Sequence, residues 1–292
     1  MKITEPGLEC VQLATQGDLA ALDDLLLTIQ PGVYNLAVRM LGHRENAADA
    51  TQEILMRVVT HLSSFRGESR FSTWVYQVAR RHLLDAITQA KEFPEVSLDA
   101  MNERLQAGLA YTASLGDPQG QRQSLSPEDK LQARQVALGC TQNMLMTLER
   151  EQRLAYVLDV VFNLPSKEAA AVMDCTPEAY RQRLARARSK LDAFTQKTCG
   201  LANPQAACHC STQVPAMKYA RSQGQVNPPG VYALHRQEHE QTERQLDALL
   251  RMSDAAALMR AHPHYQVPET LQATIRSVLK REGFWDGKPA LH

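Results

Sequence analysis

The chain has 292 residues, with 32 Lys or Arg and 32 Asp or Glu, so its formal net charge at pH 7 is zero. A uniformly basic nucleic-acid-binding protein is therefore excluded, and any surface that binds DNA has to be a local patch. The length is sufficient for two or three domains, each with its own core. No apolar run approaches the roughly 18 residues of a membrane span, and the first residues carry no signal region, so we expect a cytoplasmic protein.

The first ninety residues predict a bundle of amphipathic helices. Apolar residues recur at helical spacing between Asp18 and Leu41, where Pro31 and Gly32 predict either two helices or one helix with a break. Another helix is expected from about Asn46 onwards. The simplest interpretation of the polar side of this helix is a face exposed to solvent.

A loop rich in Gly, Ser and Arg follows and leads into a helix that Ser72 is placed to cap. Aromatic rings interleaved with arginines suit stacking on unpaired bases and binding of their phosphates. The candidate residues for such a site are Arg66, Arg70, Phe71, Trp74, Arg80 and Arg81. The alternative for Phe71 and Trp74 is a place in the hydrophobic core.

Residues 164–191 predict a helix-turn-helix. Ser166 is placed to cap a short Ala-rich helix, which Asp174 and Cys175 interrupt. Thr176 and Pro177 then provide the cap and the first position of a longer helix. On a helical wheel this second helix has one apolar stripe, formed by Tyr180, Leu184, Ala187, Leu191 and Phe194.

The face opposite that stripe is polar and basic. Residues 176–197 carry six basic and two acidic side chains, which gives them a local charge of +4 in an otherwise neutral chain. A basic face alone is usually just solvated, but one on the second helix of a helix-turn-helix is typical of DNA binding. The candidate DNA-binding residues are Thr176, Glu178, Arg181, Gln182, Arg186 and Arg188.

The two segments resemble, in the same order, regions 2 and 4 of bacterial sigma factors of the extracytoplasmic-function (ECF) group. Residues 183–188, Arg-Leu-Ala-Arg-Ala-Arg, match the end of the region 4 motif, and Asp174 stands where relatives often have Gly. Region 2 is matched by Asp-x-x-Gln-Glu at 49–53 and by Phe-Ser-Thr-Trp-Val-Tyr at 71–76. Arg81 departs from the pattern, since many relatives have Asn there. The resemblance covers about residues 15–90 and 136–197.

The resemblance implies an all-α chain with two helical domains joined by a flexible linker. The helical pattern of the remaining residues adds a C-terminal helical extension, which is not part of the minimal sigma-factor architecture. The boundaries are set at 1–90 for region 2, 91–135 for the linker, 136–197 for region 4, 198–214 for a Cys-rich motif and 215–292 for the extension. The linker is expected from its loss of helical period, although residues 98–109 could form a short helix. We expect the extension to be a regulatory module that packs on region 2 or region 4, or receives a partner. Its pattern predicts a linker over 211–229 and helices over 234–259 and 268–281.

The function implied by this resemblance is binding of core RNA polymerase and its direction to promoters. Asp49, Gln52 and Glu53 match residues that contact the clamp helices of the β′ subunit. Residues 63–70 match the loop that captures a flipped-out base of the −10 element, and the 177–188 face would enter the major groove at the −35 element. Further implied partners are the β flap and an anti-sigma factor or other regulatory protein, and no membrane is implied.

A cluster of thiols follows the second helix of the helix-turn-helix. Cys199, Cys208, His209 and Cys210 form a donor set that is usual for zinc, and a subset of ECF sigma factors has a similar segment after region 4. The spacing is not that of a standard zinc finger, so free thiols and a regulatory disulfide are alternatives. No cofactor is expected to be required, with zinc the candidate ligand. The other cysteines are expected to be small core or turn residues: Cys10, Cys140 and Cys175.

The sequence contains no P-loop, no H-E-x-x-H and no nucleophile elbow, so an enzyme is not expected. The alternative function is that of a stand-alone helix-turn-helix regulator with a metal- or redox-sensing tail. Such a regulator would bind duplex operator DNA without polymerase, typically as a dimer. The matched region 2 argues against it, because stand-alone regulators lack that segment.

Overall fold

The computed structural model describes residues 2–89, 97–116, 126–224, 255–260 and 262–281. Within these residues the regular structure is helical, and the only β-type pairing is an isolated bridge between Cys199 and Cys208. The all-α prediction is therefore confirmed. Two compact units form: one from Met1–Ala90, Val157–Arg183 and His264–His292, and one from Lys91–Tyr156 and Leu184–Pro263.

The helices are α1 (Leu8–Thr15), α2 (Leu19–Leu41), α3 (Arg44–Thr60), α4 (Phe71–Gln89), α5 (Leu98–Ser114), α6 (Pro127–Met146), α7 (Arg150–Tyr156), α8 (Ser166–Val172), α9 (Pro177–Thr198), α10 (Val214–Ser222), α11 (Ala255–Arg260) and α12 (Glu269–Arg281). A π-helical turn, Val157–Val161, continues α7. None of the described helices combines the length and apolarity needed to cross a membrane.

The first unit is built around α2, which passes through Pro31 without a break. The prediction of an interruption at Pro31 is therefore wrong. Every residue from Gly32 to Met40 is buried, so packing on all sides of the helix outweighs the single hydrogen bond that proline removes. The helix begins at the cap Asp18, whose carboxylate accepts from the Ala21 amide at 2.8 Å, and ends at Gly42, where φ is +77°.

The N-terminal segment packs across α2 and α4. Ile3 is 2% exposed and lies so close to Gly32 that a Cβ added there would be 2.4 Å from the Ile3 Cα. The Ile3 amide donates to the Tyr76 hydroxyl at 2.9 Å. The Glu5 carboxylate accepts from the first amides of α4, those of Phe71 and Ser72, at 2.9 and 3.0 Å. The cap of α4 is thus Glu5, and the prediction that Ser72 caps this helix is wrong.

The second unit contains most of the segment that was predicted to be a linker. Thr112 on α5 donates to the carbonyl of Thr212 at 2.7 Å, and the Gln213 side chain donates to the carbonyl of Leu105 at 2.9 Å. Gly108 makes room for this contact, since a Cβ there would lie 2.1 Å from Oε1 of Gln213. The short helix expected over 98–109 is confirmed by α5, which is longer and ends at Ser114. Long-range hydrogen bonds of this kind leave no signal in local composition, so the packing of α5 and the first residues of α6 was not expected.

The C-terminal extension contributes to both units. In the second unit α11 packs on α6, and Nε2 of His262 lies 2.5 Å from Oγ1 of Thr141. In the first unit α12 packs on α3. The helix predicted over 268–281 is confirmed by α12, whereas the predicted linker over 211–229 is wrong where α10 forms. Most of the helix predicted over 234–259 lies outside the described residues.

Candidate nucleic-acid interface

The helix-turn-helix consists of α8, a tight turn and α9. Asp174 adopts the left-handed conformation in the turn, with φ of +51°. Asp tolerates this conformation better than most residues, so it can stand where relatives often have Gly. Thr176 caps α9, since its hydroxyl accepts from the Ala179 amide at 3.2 Å. Ser166 is the first residue of α8 and makes no cap, because the extended cap position is occupied by Pro165. The prediction for Thr176 is thus confirmed and that for Ser166 is wrong.

The apolar stripe of α9 is buried as predicted, with exposures of 0–8% for Tyr180, Leu184, Ala187, Leu191 and Phe194. The opposite face is exposed at all six predicted DNA-binding positions: Thr176, Glu178, Arg181, Gln182, Arg186 and Arg188. The helix has 22 residues and is about 33 Å long, enough to cross a major groove. Arg181 and Gln182 lie in its N-terminal part, which is where recognition helices contact base edges.

Lys190 has a structural contact that the sequence did not reveal. Its ammonium group donates to the carbonyl of Thr147, just after α6, at 2.8 Å. Counting Lys190 as part of a DNA-facing patch therefore overstated the extent of that patch. The side chain instead holds α9 against the end of α6 within the second unit.

The loop before α4 exposes Arg66 and Arg70, with Gly67 between them at φ of +72°. The three aromatic rings next to this loop form one cluster, with centroids of Phe65, Phe71 and Trp74 separated by 5.1–5.7 Å. Phe71 is 2% exposed, so the core alternative describes its position, while Trp74 is half-buried. The two remaining candidates lie further along α4, where Arg80 is half-buried and Arg81 exposed.

The candidate polymerase-binding residues share one face of α3. Asp49 and Glu53 are exposed and Gln52 is half-buried, whereas the opposite face of the helix is buried in the first unit. Burial lowers the pKa of His82 on the adjacent α4, and the positive charge of Arg57 lowers it further. His82 is therefore largely unprotonated at neutral pH and adds little positive charge beside this acidic face.

Within the first unit, α8 of the helix-turn-helix packs on α4. The Thr73 hydroxyl donates to Oε1 of Glu168 at 3.1 Å, and the Gln77 amide donates to the carbonyl of Ala171 at 2.9 Å. Phe162, which precedes α8, lies 6.2 Å from Tyr76 between ring centroids. The helix that follows the candidate base-binding loop is thus in direct contact with the first helix of the helix-turn-helix.

Cys199 and Cys208 are neighbours through their backbone bridge, where the Gly200 amide donates to the Cys208 carbonyl at 2.8 Å. Burial raises the pKa of Cys208 to about 11, and Cys199 adds to this shift. Burial also raises the pKa of Cys210 and of Cys140 on α6, with further contributions from the other thiols. Cys140, predicted to be a small core or turn residue, therefore belongs to the same thiol cluster.

Among the residues that the structure describes, no group of three or more His, Cys, Asp or Glu side chains is arranged to hold a metal ion. A Cβ at Gly200 would lie 2.4 Å from the His209 ring, so this glycine makes room for the imidazole. Zinc binding by Cys199, Cys208, His209 and Cys210 stays a prediction, as does a disulfide.

Comparison with known proteins identifies two matching family models: sigma-70 region 2 over residues 25–93 and sigma-70 region 4 over residues 138–191. The chain is 26% identical over 200 residues to the RNA polymerase sigma-H factor of Pseudomonas aeruginosa, a match that covers 67% of this chain and 97% of the relative. It is 28% identical to the ECF RNA polymerase sigma-E factor of Escherichia coli, over 64% of this chain and 92% of the relative.

The ECF RNA polymerase sigma factor SigW of Bacillus subtilis is 25% identical, over 62% of this chain and 92% of the relative. A solved complex of the sigma factor RpoE with the anti-sigma factor NepR from Bartonella quintana contains a chain with 21% identity and a TM-score of 0.38, covering 59% of this chain and 95% of that chain. The matched family models end at residue 191, so the Cys-rich motif and the extension lie beyond them.

Proposed function

We infer that this chain is a sigma factor of the ECF group, which binds RNA polymerase and directs promoter-specific initiation of transcription. The observation that carries this inference is the presence of both sigma-70 regions in one chain and in the family's order. A stand-alone helix-turn-helix regulator would need only the second region. That alternative is therefore not favoured.

We propose that α9 reads the −35 element through its exposed face. Arg181 and Gln182 are exposed near the start of the helix, where Arg is suited to a bidentate contact with guanine and Gln to one with adenine. Arg186 and Arg188 lie further along and are assigned to phosphates, which position the protein without specifying sequence. Thr176 and Glu178 flank the base-reading positions.

For the −10 element we propose that the loop before α4 holds the unpaired strand. Arg66 and Arg70 are exposed and can bind phosphates, and half-buried Trp74 presents part of its ring for stacking. Phe71 supports the loop from within the aromatic cluster. Arg80 and Arg81 extend the basic surface along the helix.

The proposed polymerase contact is the exposed face of α3, formed by Asp49, Gln52 and Glu53, with the β′ clamp helices as its partner. A cytoplasmic location, contact of region 4 with the β flap and regulation by an anti-sigma factor are further parts of this proposal that follow from the family resemblance.

The decisive experiment is co-elution of the purified chain with core RNA polymerase, followed by transcription from a genomic library. We expect specific transcripts with the wild type, and loss of both binding and transcripts in Asp49→Ala/Gln52→Ala/Glu53→Ala. The matched control is Glu9→Ala/Gln12→Ala on α1, which also removes exposed acidic and amide groups. Binding to duplex DNA without any binding to polymerase would instead support the stand-alone regulator.

The assignment of roles on α9 is tested with two arginine variants and a set of single-base promoter substitutions. Arg181→Ala should cost about 1–3 kcal/mol of binding free energy and relax the preference at one position. Arg188→Ala should weaken binding to all sequences alike and reduce the slope of affinity against salt by about one. A uniform loss in both variants would contradict the assignment.

A further inference from the structure

The C-terminal extension binds the most deeply buried part of α2 through its backbone. Asn35, which is 0% exposed, donates through Nδ2 to the Tyr265 carbonyl and accepts through Oδ1 from the Tyr265 amide, both at 3.0 Å. Its Nδ2 also lies 2.9 Å from the Pro31 carbonyl. A buried amide that satisfies both backbone groups of one residue holds that residue in a single position.

The Tyr265 side chain packs against a buried cation that also touches the helix-turn-helix segment. The Arg39 guanidinium lies 5.2 Å from the ring centroid of Tyr265 and 5.8 Å from that of Phe162. Burial lowers the pKa of Arg39 to about 10, so the group is still charged at neutral pH. Cation–π contacts are strongest where water is excluded, as here, where Arg39 is 1% exposed. One cation thus joins the extension to the residue that precedes α8.

The helix α12 is the other part of the extension that packs within this unit. Leu271, Ile275 and Leu279 are spaced four residues apart and are buried. Beside this stripe, Nε of Arg276 donates to Oδ1 of Asp23 at 2.8 Å, and its Nη2 donates to Oδ2 of the same carboxylate. Although α12 packs on α3, Asp49 and Glu53 stay exposed. The extension therefore covers the α2–α3 face but leaves the proposed polymerase-binding face open.

The contact between α4 and α8 is incompatible with simultaneous binding of both promoter elements. The −10 and −35 elements are about 25 base pairs apart, which is about 85 Å at 3.4 Å per base pair. The hydrogen bonds from Thr73 and Gln77 to α8 are 3.1 and 2.9 Å long. These bonds have to break before region 2 and the helix-turn-helix each reach their own element.

We propose that residues 264–281 are an intramolecular latch, which keeps α8 on α4 by holding Phe162 and Arg39 in place and so delays promoter engagement without blocking polymerase. The proposal rests on the sigma-factor function for its consequence in transcription. The latch itself is a property of the isolated chain. Its release lets Phe162 and then α8 separate from α4.

The test uses the full chain with Tyr265→Ala, the conservative variant Tyr265→Phe, and hydrogen exchange of the α8 amides in the absence of polymerase. We expect about tenfold faster exchange over Ser166–Val172 in Tyr265→Ala and wild-type exchange in Tyr265→Phe, which retains the ring. With core polymerase and the genomic library, Tyr265→Ala should yield at least threefold more specific transcripts than the wild type when the concentration of this protein is limiting. Its affinity for an isolated β′ clamp-helix fragment, which would contact only the exposed face of α3, should stay within twofold of the wild type.

A second set of variants tests the latch independently, in case Tyr265→Ala fails to fold. Arg276→Ala removes an exposed ion pair and should raise transcript yield about twofold, while the control Lys280→Ala, an exposed cation on the same helix, should leave it unchanged. The charge swap Asp23→Arg/Arg276→Asp should restore the wild-type yield.

Unchanged exchange in α8 in both Tyr265→Ala and Arg276→Ala would overturn the latch, and so would faster exchange accompanied by unchanged or reduced transcripts. Failure of the wild-type chain to bind polymerase would refute the sigma-factor function instead. In that case the exchange data alone still decide whether the latch exists.

Discussion

Substitution of Gly32 by Ala offers a sharp test of the packing of the first unit. A Cβ at this position would lie 2.4 Å from Cα and 2.6 Å from N of Ile3, distances that backbone atoms cannot tolerate. The N-terminal segment therefore has to leave α2. The variant would lose the buried Ile3 side chain and the hydrogen bond from its amide to Tyr76.

The expected cost follows from these two losses. Burial of an Ile side chain contributes about 1.5–3 kcal/mol, and one hydrogen bond contributes about 0.5–1.5 kcal/mol. Replacement of Gly by Ala inside a helix returns about 1 kcal/mol, and the released segment regains chain entropy. We therefore expect Gly32→Ala to lower the free energy of unfolding of the first unit by about 1–2 kcal/mol.

The measurement is urea unfolding followed by the fluorescence of Trp74 in a Trp285→Phe background, made with the full chain and with a chain lacking residues 2–6. In the shortened chain no Ile3 remains to collide with, so the same substitution should stabilise the unit by about 0.5–1 kcal/mol. The sign of the effect thus reverses between the two backgrounds. An equal loss of stability in both would refute the reasoning.

Three further predictions concern single groups. Glu5→Ala should speed hydrogen exchange at the Phe71 and Ser72 amides and cost about 1 kcal/mol of stability, whereas unchanged exchange would exclude the cap. Burial and the charge of Arg39 lower the pKa of His264 in the docked extension, so the undocked form takes up protons first as the pH falls. Docking of the extension should be complete above about pH 6.5 and weaken below it. Hydrogen exchange of the α12 amides should therefore become faster as the pH falls, and His264→Gln should remove this pH dependence. Cys208, with its pKa raised to about 11, should be alkylated slowly at pH 7 and faster as the pH rises, unless metal analysis of the purified chain finds stoichiometric zinc.

The second helix of the helix-turn-helix, α9, was predictable because its signals are local. The Thr176 cap, Pro177 and the 3.6-residue spacing from Tyr180 to Phe194 all lie within one segment, and each is found in the structure as predicted. The exposed face of α9 follows directly from the same spacing. Ser166 was misassigned because Pro165 meets the backbone requirement of a cap position, which moves the start of α8 to Ser166 itself.

The parts that sequence could not predict depend on residues far apart in the chain. Glu5 caps a helix that begins 66 residues later, and Asn35 binds the backbone of a residue 230 positions away. The path of α2 through Pro31 has the same origin, since burial on all sides comes from other segments. Cys140 gave no sign of its neighbours, because a single Cys among the apolar residues of a helix has the pattern of an ordinary core residue.

The docking of α5 on Gln213 and Thr212 also fixes the distance that α5 spans along the chain. As a helix, the 17 residues of α5 span about 26 Å, whereas the same residues fully extended span about 56–61 Å. Unwinding of α5 would add about 30 Å of span. The hydrogen bonds from Gln213 and to Thr212 therefore keep this part of the chain at its short, helical length.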